Sequence, residues 1–234
     1  MQRQEADIVD IFSSIQGEGI FQGAKQVFVR FKECNLHCVY CDEPHEGRAT
    51  PYSPPTLLDK VMSLEDAKGP HHSVALTGGE PLCYTDFLKD FLPLLKNKGM
   101  KSYLETNGTM PDKLSEVIDF IDIIAMDIKM PSSTAQRAFW DEHRRFLDIS
   151  SAKKVFVKAV VTAETTDRDI ENALSIIAKA RVKIPFILQP ATPVRPDEKA
   201  VSKEKLIKFV EMGAKHNVEG VRVIPQMHKF WGVK

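Results

Sequence analysis

Residues 34–42 read CNLHCVYCD, with cysteines in the spacing Cys-x3-Cys-x2-Cys, in a chain of 234 residues that holds 4 cysteines altogether. Three thiols so close together cannot all pair among themselves, and Cys83 lies far along the chain. The N-terminal stretch MQRQEADIVDIF lacks the apolar core of a signal peptide, so a cytoplasmic setting is expected and disulfides suit it poorly. A structural zinc ion usually takes four protein ligands, and the fourth would have to be His37, His45 or Asp42. Inert buried cysteines are another reading, opposed by the polar Asn35 and His37 in the same loop. The remaining reading is a cubane iron–sulfur cluster on Cys34, Cys38 and Cys41. A fourth cysteine normally completes such a set, so one iron would keep an open position for a ligand.

Outward from the cysteines, short apolar runs recur: QVFVRF, SVALTGG, KSYLETN, IDIIAMDIK, KKVFVKAVVT, PFILQP and VRVIPQ. They read as buried strands. Between them stand the helix candidates TLLDKVMSLEDA, YTDFLKDFLPLLKNKG, MPDKLSEVIDFI, TTDRDIENALSIIAKAR and SKEKLIKFVEMGAKH. A β-α-β-α order demands right-handed crossovers and a parallel sheet. The expected fold class is α/β: one domain over 1–234, built as an incomplete (β/α) barrel of about six parallel strands, with an open doubly wound sheet as the alternative. EPHEGRATPYSPP reads as one irregular stretch of a loop over 32–55. Hydrophobic content of 43% suffices for a core, and 32 basic residues balance 32 acidic ones. Neither nucleic acid nor an anionic membrane is therefore expected as a main partner. No stretch approaches the roughly 20 apolar residues that span a bilayer.

Ligands of parallel α/β folds collect at the carboxyl ends of the strands. There the sequence is polar: the cysteines follow QVFVRF, TGGEP follows SVAL, ETNG follows KSYL, DIK follows IIAM, QP follows PFIL and PQMHK follows VRVI. Cys-x3-Cys-x-aromatic-Cys, with Tyr40 as the aromatic, followed by TGGEP, resembles the radical S-adenosylmethionine (SAM) enzymes. That resemblance implies a [4Fe-4S] cluster whose open iron takes the methionyl end of SAM. The protein's own task is then to exclude water and aim a radical.

With IFSSIQGEG, LETNG, MDIK and the terminal PQMHK, the chain resembles the 7-carboxy-7-deazaguanine synthase family over nearly its whole length. The resemblance implies a homodimer that converts 6-carboxy-5,6,7,8-tetrahydropterin to 7-carboxy-7-deazaguanine with loss of ammonia, for queuosine and related nucleosides. Magnesium assists, SAM is used catalytically, and an external donor such as flavodoxin reduces the cluster. A glycyl-radical activase would share the cysteines and TGGEP but has no need of QGEG or the terminal HK. A zinc or iron–sulfur scaffold without catalysis would bind metal and leave SAM intact.

On this footing Thr77, Gly78 and Gly79 give SAM backbone contacts, the two glycines letting the chain approach it closely, and Glu80 positions the methionyl amino group. Thr106, Asn107, Lys129 and Gln189 reach its ribose or sulfonium region, although an Asp127–Lys129 ion pair is the competing use of that lysine. Gln16, Glu18 and Arg30 meet the amide, guanidine-like and carboxylate groups of the pterin. His228, in a substrate-contacting tail over 225–234, joins them. The family pattern places Thr or Ser after the Asp that follows the last cysteine, whereas this chain has Glu43. Glu43 is expected to take the hydroxyl's place at magnesium or to alter the metal preference. Cys83 is expected to serve packing.

Overall fold

Alternate residues of a strand face opposite layers, and here the two layers are filled differently. The computed structural model describes residues 5–42, 48–193, 198–218 and 220–233. In chain order the elements begin β1 (Ala6–Ile15), β2 (Lys25–Phe31), β3 (Thr50–Tyr52), α1 (Pro54–Lys68), β4 (Ser73–Gly78), α2 (Thr85–Asn97), β5 (Ser102–Thr106), α3 (Pro111–Ser115) and β6 (Ile123–Asp127). They continue α4 (Pro131–Thr134), α5 (Trp140–Ser150), β7 (Lys154–Val161), α6 (Asp167–Ala178), β8 (Phe186–Pro190), α7 (Lys203–Lys215), β9 (Arg222–Val223) and α8 (Met227–Trp231). On the outer face Val27, Val29, Leu76, Leu104, Met126, Val157 and Leu188 pack under Leu57, Phe91, Phe146, Leu174 and Phe209 of the helices. Each such buried side chain stabilises the fold by about 1.5–3 kcal/mol relative to exposure.

The sheet runs β3-β1-β2-β4-β5-β6-β7-β8-β9. From β2 onward neighbouring strands are parallel. From β4 to β9 the order follows the chain without the reversal that a doubly wound sheet requires. Among the described residues β9 pairs with β8 alone, so the wall stays open and the barrel incomplete.

Four elements depart from the sequence reading. The β-α-β-α order does not hold at the start, where β1 is antiparallel to β2 and β3. The register of β1 shifts between Ile8 and Asp10, which breaks its period-two pattern. MPDKLSEVIDFI is not one helix but the single turn α3 followed by a 3-10 turn over Ile118–Phe120. WDEHRRFLDIS forms α5, which buries His143, Phe146, Leu147 and Ser150 at the i, i+3, i+4, i+7 spacing of a helix face. The expected irregular loop also contains β3, and α1 starts at Pro54.

On the inner face Phe28, Ala75, Tyr103, Ala125, Phe156 and Ile187 form a second, smaller cluster, joined by Phe12, Ile20 and Phe21. The 3-10 turn Gly19–Phe21 seals this interior, with the Phe21 ring edge-on to Tyr103 at 5.6 Å. Gly19 sits at φ 64°, and a Cβ there would lie 2.3 Å from the Phe156 ring. Gly19→Ala is therefore expected to lower the unfolding free energy by about 1–3 kcal/mol, read from urea titrations.

Candidate active site

Two residues beyond each apolar inner position, the strand presents a polar one: Arg30, Thr77, Glu105, Asp127, Lys158 and Gln189. The parallel ladder brings them to similar heights, pairing Arg30 with Thr77, Asp127 with Lys158 and Val160 with Gln189. All but Arg30 line a cavity at the carboxyl ends of the strands, together with Cys34, Cys38, Cys41 and Tyr40. The Arg30 guanidinium stands over the Phe12 ring at 5.9 Å, behind the lining.

The cysteine loop takes its shape from the turns beside it. The Val39 N–H donates to Thr134 O at 3.2 Å, and Gln136 Nε2 donates to His37 O at 2.9 Å. Asn35 donates to Thr109 Oγ1 at 2.9 Å and accepts from Asn107 Nδ2 at 2.7 Å. Cys34 and Cys38 are half-buried and Cys41 is exposed. Burial pushes the Cys38 thiol up to about 11 against the pull of Lys129. Among the described residues no three His, Cys, Asp or Glu side chains gather round the position of a single ion. Cys83, in the short turn Pro81–Tyr84, lies outside the lining.

The TGGE segment clamps the end of β2. Gly79 N–H donates to Phe31 O at 2.9 Å and Glu80 N–H to Glu33 O at 2.6 Å. A Cβ on Gly78 would come 2.4 Å from Phe31 O, and one on Gly79 2.0 Å from Glu33 O. Glycine at both positions is thus required by a close approach to the chain's own backbone, and both also line the cavity. Glu80 is fully buried and stands outside the lining. Its carboxylate accepts from Leu82 N–H at 3.1 Å, Thr106 Oγ1 at 2.9 Å and Asn107 N–H at 2.7 Å. It shapes the turn whose Thr106 and Asn107 reach the cavity.

Gln16 is buried as well, and its Nε2 donates to Gln26 Oε1 at 2.9 Å and Glu105 Oε1 at 2.8 Å. Thr77 donates to the other oxygen of Glu105 at 2.6 Å. The carboxylate that faces the cavity through this chain is Glu105, and Gln16 stands behind it. Glu18 lines the cavity and pairs with Lys158, while Gln226 Nε2 donates to its other oxygen at 3.2 Å. Burial opposes its ionisation, yet Lys158 and Gln226 hold its carboxyl below the ordinary value. His228 does not reach the lining: a Cβ on Gly17 would lie 2.5 Å from its Nδ1. Its neighbours Gln226 and Lys229 do, both bonded to Asp42, at 3.2 and 2.6 Å. Glu43 lies outside the described residues.

Lys129 bridges Asp127 at 2.9 Å and Tyr40 Oη at 3.3 Å, so the competing ion pair forms and still lines the cavity. Two buried acceptors among the described residues have no donor, Asp127 Oδ1 and Gln189 Oε1. Both belong to cavity-lining residues. Buried acceptors are normally satisfied, so this wall suits a ligand that brings N–H or O–H groups, as the ammonium and ribose of SAM do. Three thiols beside it suit a cluster with one iron left for that ligand.

The sequence profile of the radical SAM superfamily matches residues 28–181. The 7-carboxy-7-deazaguanine synthase of Geobacter sulfurreducens is 41% identical, the alignment covering 99% of each chain. That of Methanopyrus kandleri is 34% identical over 95% of this chain and 92% of its own. Among solved structures, QueE from Escherichia coli superposes with a TM-score of 0.65 at 18% identity, covering 95% and 94% of the two chains, which speaks for the fold.

Burial raises the Glu80 carboxyl from its ordinary 4.5 to about 7, against its three donors. The folded state then holds this proton more tightly than the unfolded chain, so stability from this group is complete below pH 4.5 and lost as pH rises through about 7. Glu80→Gln cannot ionise and lacks this slope. The unfolding free energy of the wild type minus that of the variant is expected to fall by about 3 kcal/mol across that window, in urea titrations of cluster-free protein.

Proposed function

The chain belongs to the 7-carboxy-7-deazaguanine synthase family of the radical SAM superfamily, and from that premise we propose how its own residues convert 6-carboxy-5,6,7,8-tetrahydropterin to 7-carboxy-7-deazaguanine with loss of ammonia. The observation that carries the assignment of the substrate side is the meeting of QGEG with the tail. Met227 N–H donates to Gly17 O at 3.0 Å, and Gln226 bonds Glu18, so both ends of the chain build one wall. Membership implies a [4Fe-4S] cluster and SAM, which when bound supply one-electron cleavage and a hydrogen-abstracting radical.

In this reading Cys34, Cys38 and Cys41 hold the cluster. Thr77, Gly78, Gly79, Thr106 and Asn107 form the SAM-facing wall, with Asp127 Oδ1 and Gln189 Oε1 accepting from it. Glu80 fixes that wall from behind, and Lys129 and Tyr40 close the side nearest the cysteines. On the substrate side Glu18 accepts from the pterin amino edge and Lys229 offers a cation to its carboxylate, with Arg30 and His228 supporting that wall from outside the lining. Glu105, held by Gln16 and Thr77, is a second acceptor at the same level. Enclosing the reacting carbon between these walls excludes water and limits side reactions of a radical. Glu43 would serve as a magnesium ligand, and the ion would supply orientation and charge stabilisation to the substrate. One such domain over 1–234, paired as a homodimer in the cytoplasm and reduced by an external donor such as a flavodoxin, completes the proposal.

Reconstituted anaerobically with reductant, SAM, magnesium and the tetrahydropterin, the enzyme is expected to yield 7-carboxy-7-deazaguanine by mass. 5′-Deoxyadenosine without the deazapurine would remove the substrate and keep the radical chemistry. Glu43→Thr is expected to shift the magnesium activation curve severalfold, on the order of what one hard oxygen ligand contributes, and an unchanged curve would remove Glu43 from the metal.

A further inference from the structure

His143 of α5 is fully buried and stands outside the cavity lining, yet it joins two of the turns that form it. Its Nε2 lies 3.0 Å from the Lys129 N–H and its Nδ1 3.1 Å from Gly108 O. An amide N–H only donates and a carbonyl only accepts, so the ring is neutral with its proton on Nδ1. Burial agrees, lowering the imidazolium to about 4. The fit is close on the other side too: Gly108 adopts φ 67°, and a Cβ there would lie 2.9 Å from Met126 Cε and 3.1 Å from His143 Nδ1. The rings of Phe139 and Trp140, with centroids 6.2 and 6.4 Å away, flank the imidazole.

The first turn carries Thr106 and Asn107, and the second Asp127 and Lys129, all of which line the cavity. Glu80 ties the first turn to the segment after β4. The hydrogen bonds of Glu80 stop at the first turn and the β5–β6 ladder ends at Thr106 and Met126; beyond that point His143 joins the second turn to the first through Gly108. We propose that His143 is a positioning residue that sets the spacing between these two turns and thereby the fit of SAM to the wall they share, an inference that rests on the assignment of that wall to SAM made above.

The geometry gives an asymmetric test. A glutamine at this position can place Oε1 where Nε2 stands and keep the acceptor for Lys129, whereas an asparagine reaches only the Nδ1 place and keeps the donor to Gly108. The experiment compares His143→Gln, His143→Asn and His143→Phe in the cluster-reconstituted holoenzyme. It measures SAM affinity by anaerobic equilibrium dialysis, iron content, thermal midpoint and KM for the pterin. It also reads hydrogen exchange of the Lys129 amide in the cluster-free protein. His143→Asn and His143→Phe are expected to weaken SAM binding about tenfold, the scale of one orphaned buried donor, with iron content and pterin KM within about twofold. His143→Gln is expected to stay within about threefold of the wild type, and exchange at Lys129 to rise in the asparagine and phenylalanine variants only.

Wild-type SAM affinity in His143→Phe overturns the proposal. So does a loss that follows the thermal midpoint with glutamine no better than asparagine. If the wild type binds SAM but leaves the pterin unchanged, the reaction assigned above falls while the three affinities still decide the role of His143. If the wild type binds no SAM, both fall.

Discussion

In each of the six central strands the inward face changes from apolar to polar within two residues, at similar heights round the wall. That constraint gives the barrel a dry floor of Phe28, Tyr103 and Phe156 and a polar mouth directly above it. The step is costly in isolation, because a polar group in such an interior must find a partner. A hydrogen-bonded chain meets most of the demand, from Thr77 through Glu105 and Gln16 to Gln26 and Ser73. Ion pairs meet more of it, joining Glu18 to Lys158 and Asp127 to Lys129. The acceptors left over, Asp127 Oδ1 and Gln189 Oε1, mark where the fold leaves solvation to a ligand.

The cysteine loop inherits its geometry from these strand ends. Among the described residues between Phe31 and Thr50 no helix or strand forms, so local propensity does little to hold Cys34, Cys38 and Cys41. Asn35 bonded to the β5 turn, the α4 region bonded to Val39 and His37, and the TGGE clamp on Phe31 and Glu33 do that work instead. Preorganisation of the loop is therefore a property of β2, β4 and β5 together, and glycine at 78 and 79 is required for this clamp before any ligand arrives.

What the sequence discloses depends on where polarity falls relative to the end of an apolar run. Thr77, Asn107, Lys129 and Gln189 follow or close their runs and could be picked out as strand-end groups. Lys158 could not, because β7 continues to Val161 and the mouth falls inside the apolar run KKVFVKAVV. Glu105 is masked by its neighbours Thr106 and Asn107, although it is the inward residue two beyond Tyr103. Gln16, Glu80 and His228 lie in distinctive motifs yet stand outside the lining, and a motif does not tell a group facing a ligand from one holding that group. Burial decides this, and burial is not written in spacing. The strand β1 was hidden by its bulge, and α5 by charged residues at the positions between its buried ones.

The tail illustrates how little of such a site is locally stable. A helix of five residues such as α8 cannot hold itself in water, so its order comes from the groups that it touches. Those are Gly17 and Glu18 through Met227 and Gln226, Asp42 through Gln226 and Lys229, and Thr192 through Gln226. Both oxygens of Glu18 are engaged, one by Lys158 and the other by Gln226. A ligand amino group that takes Glu18 must share an oxygen with Lys158 or Gln226, or displace one of them. Displacing Gln226 from Glu18 takes away one of the bonds that order α8, which couples the tail to whatever occupies Glu18.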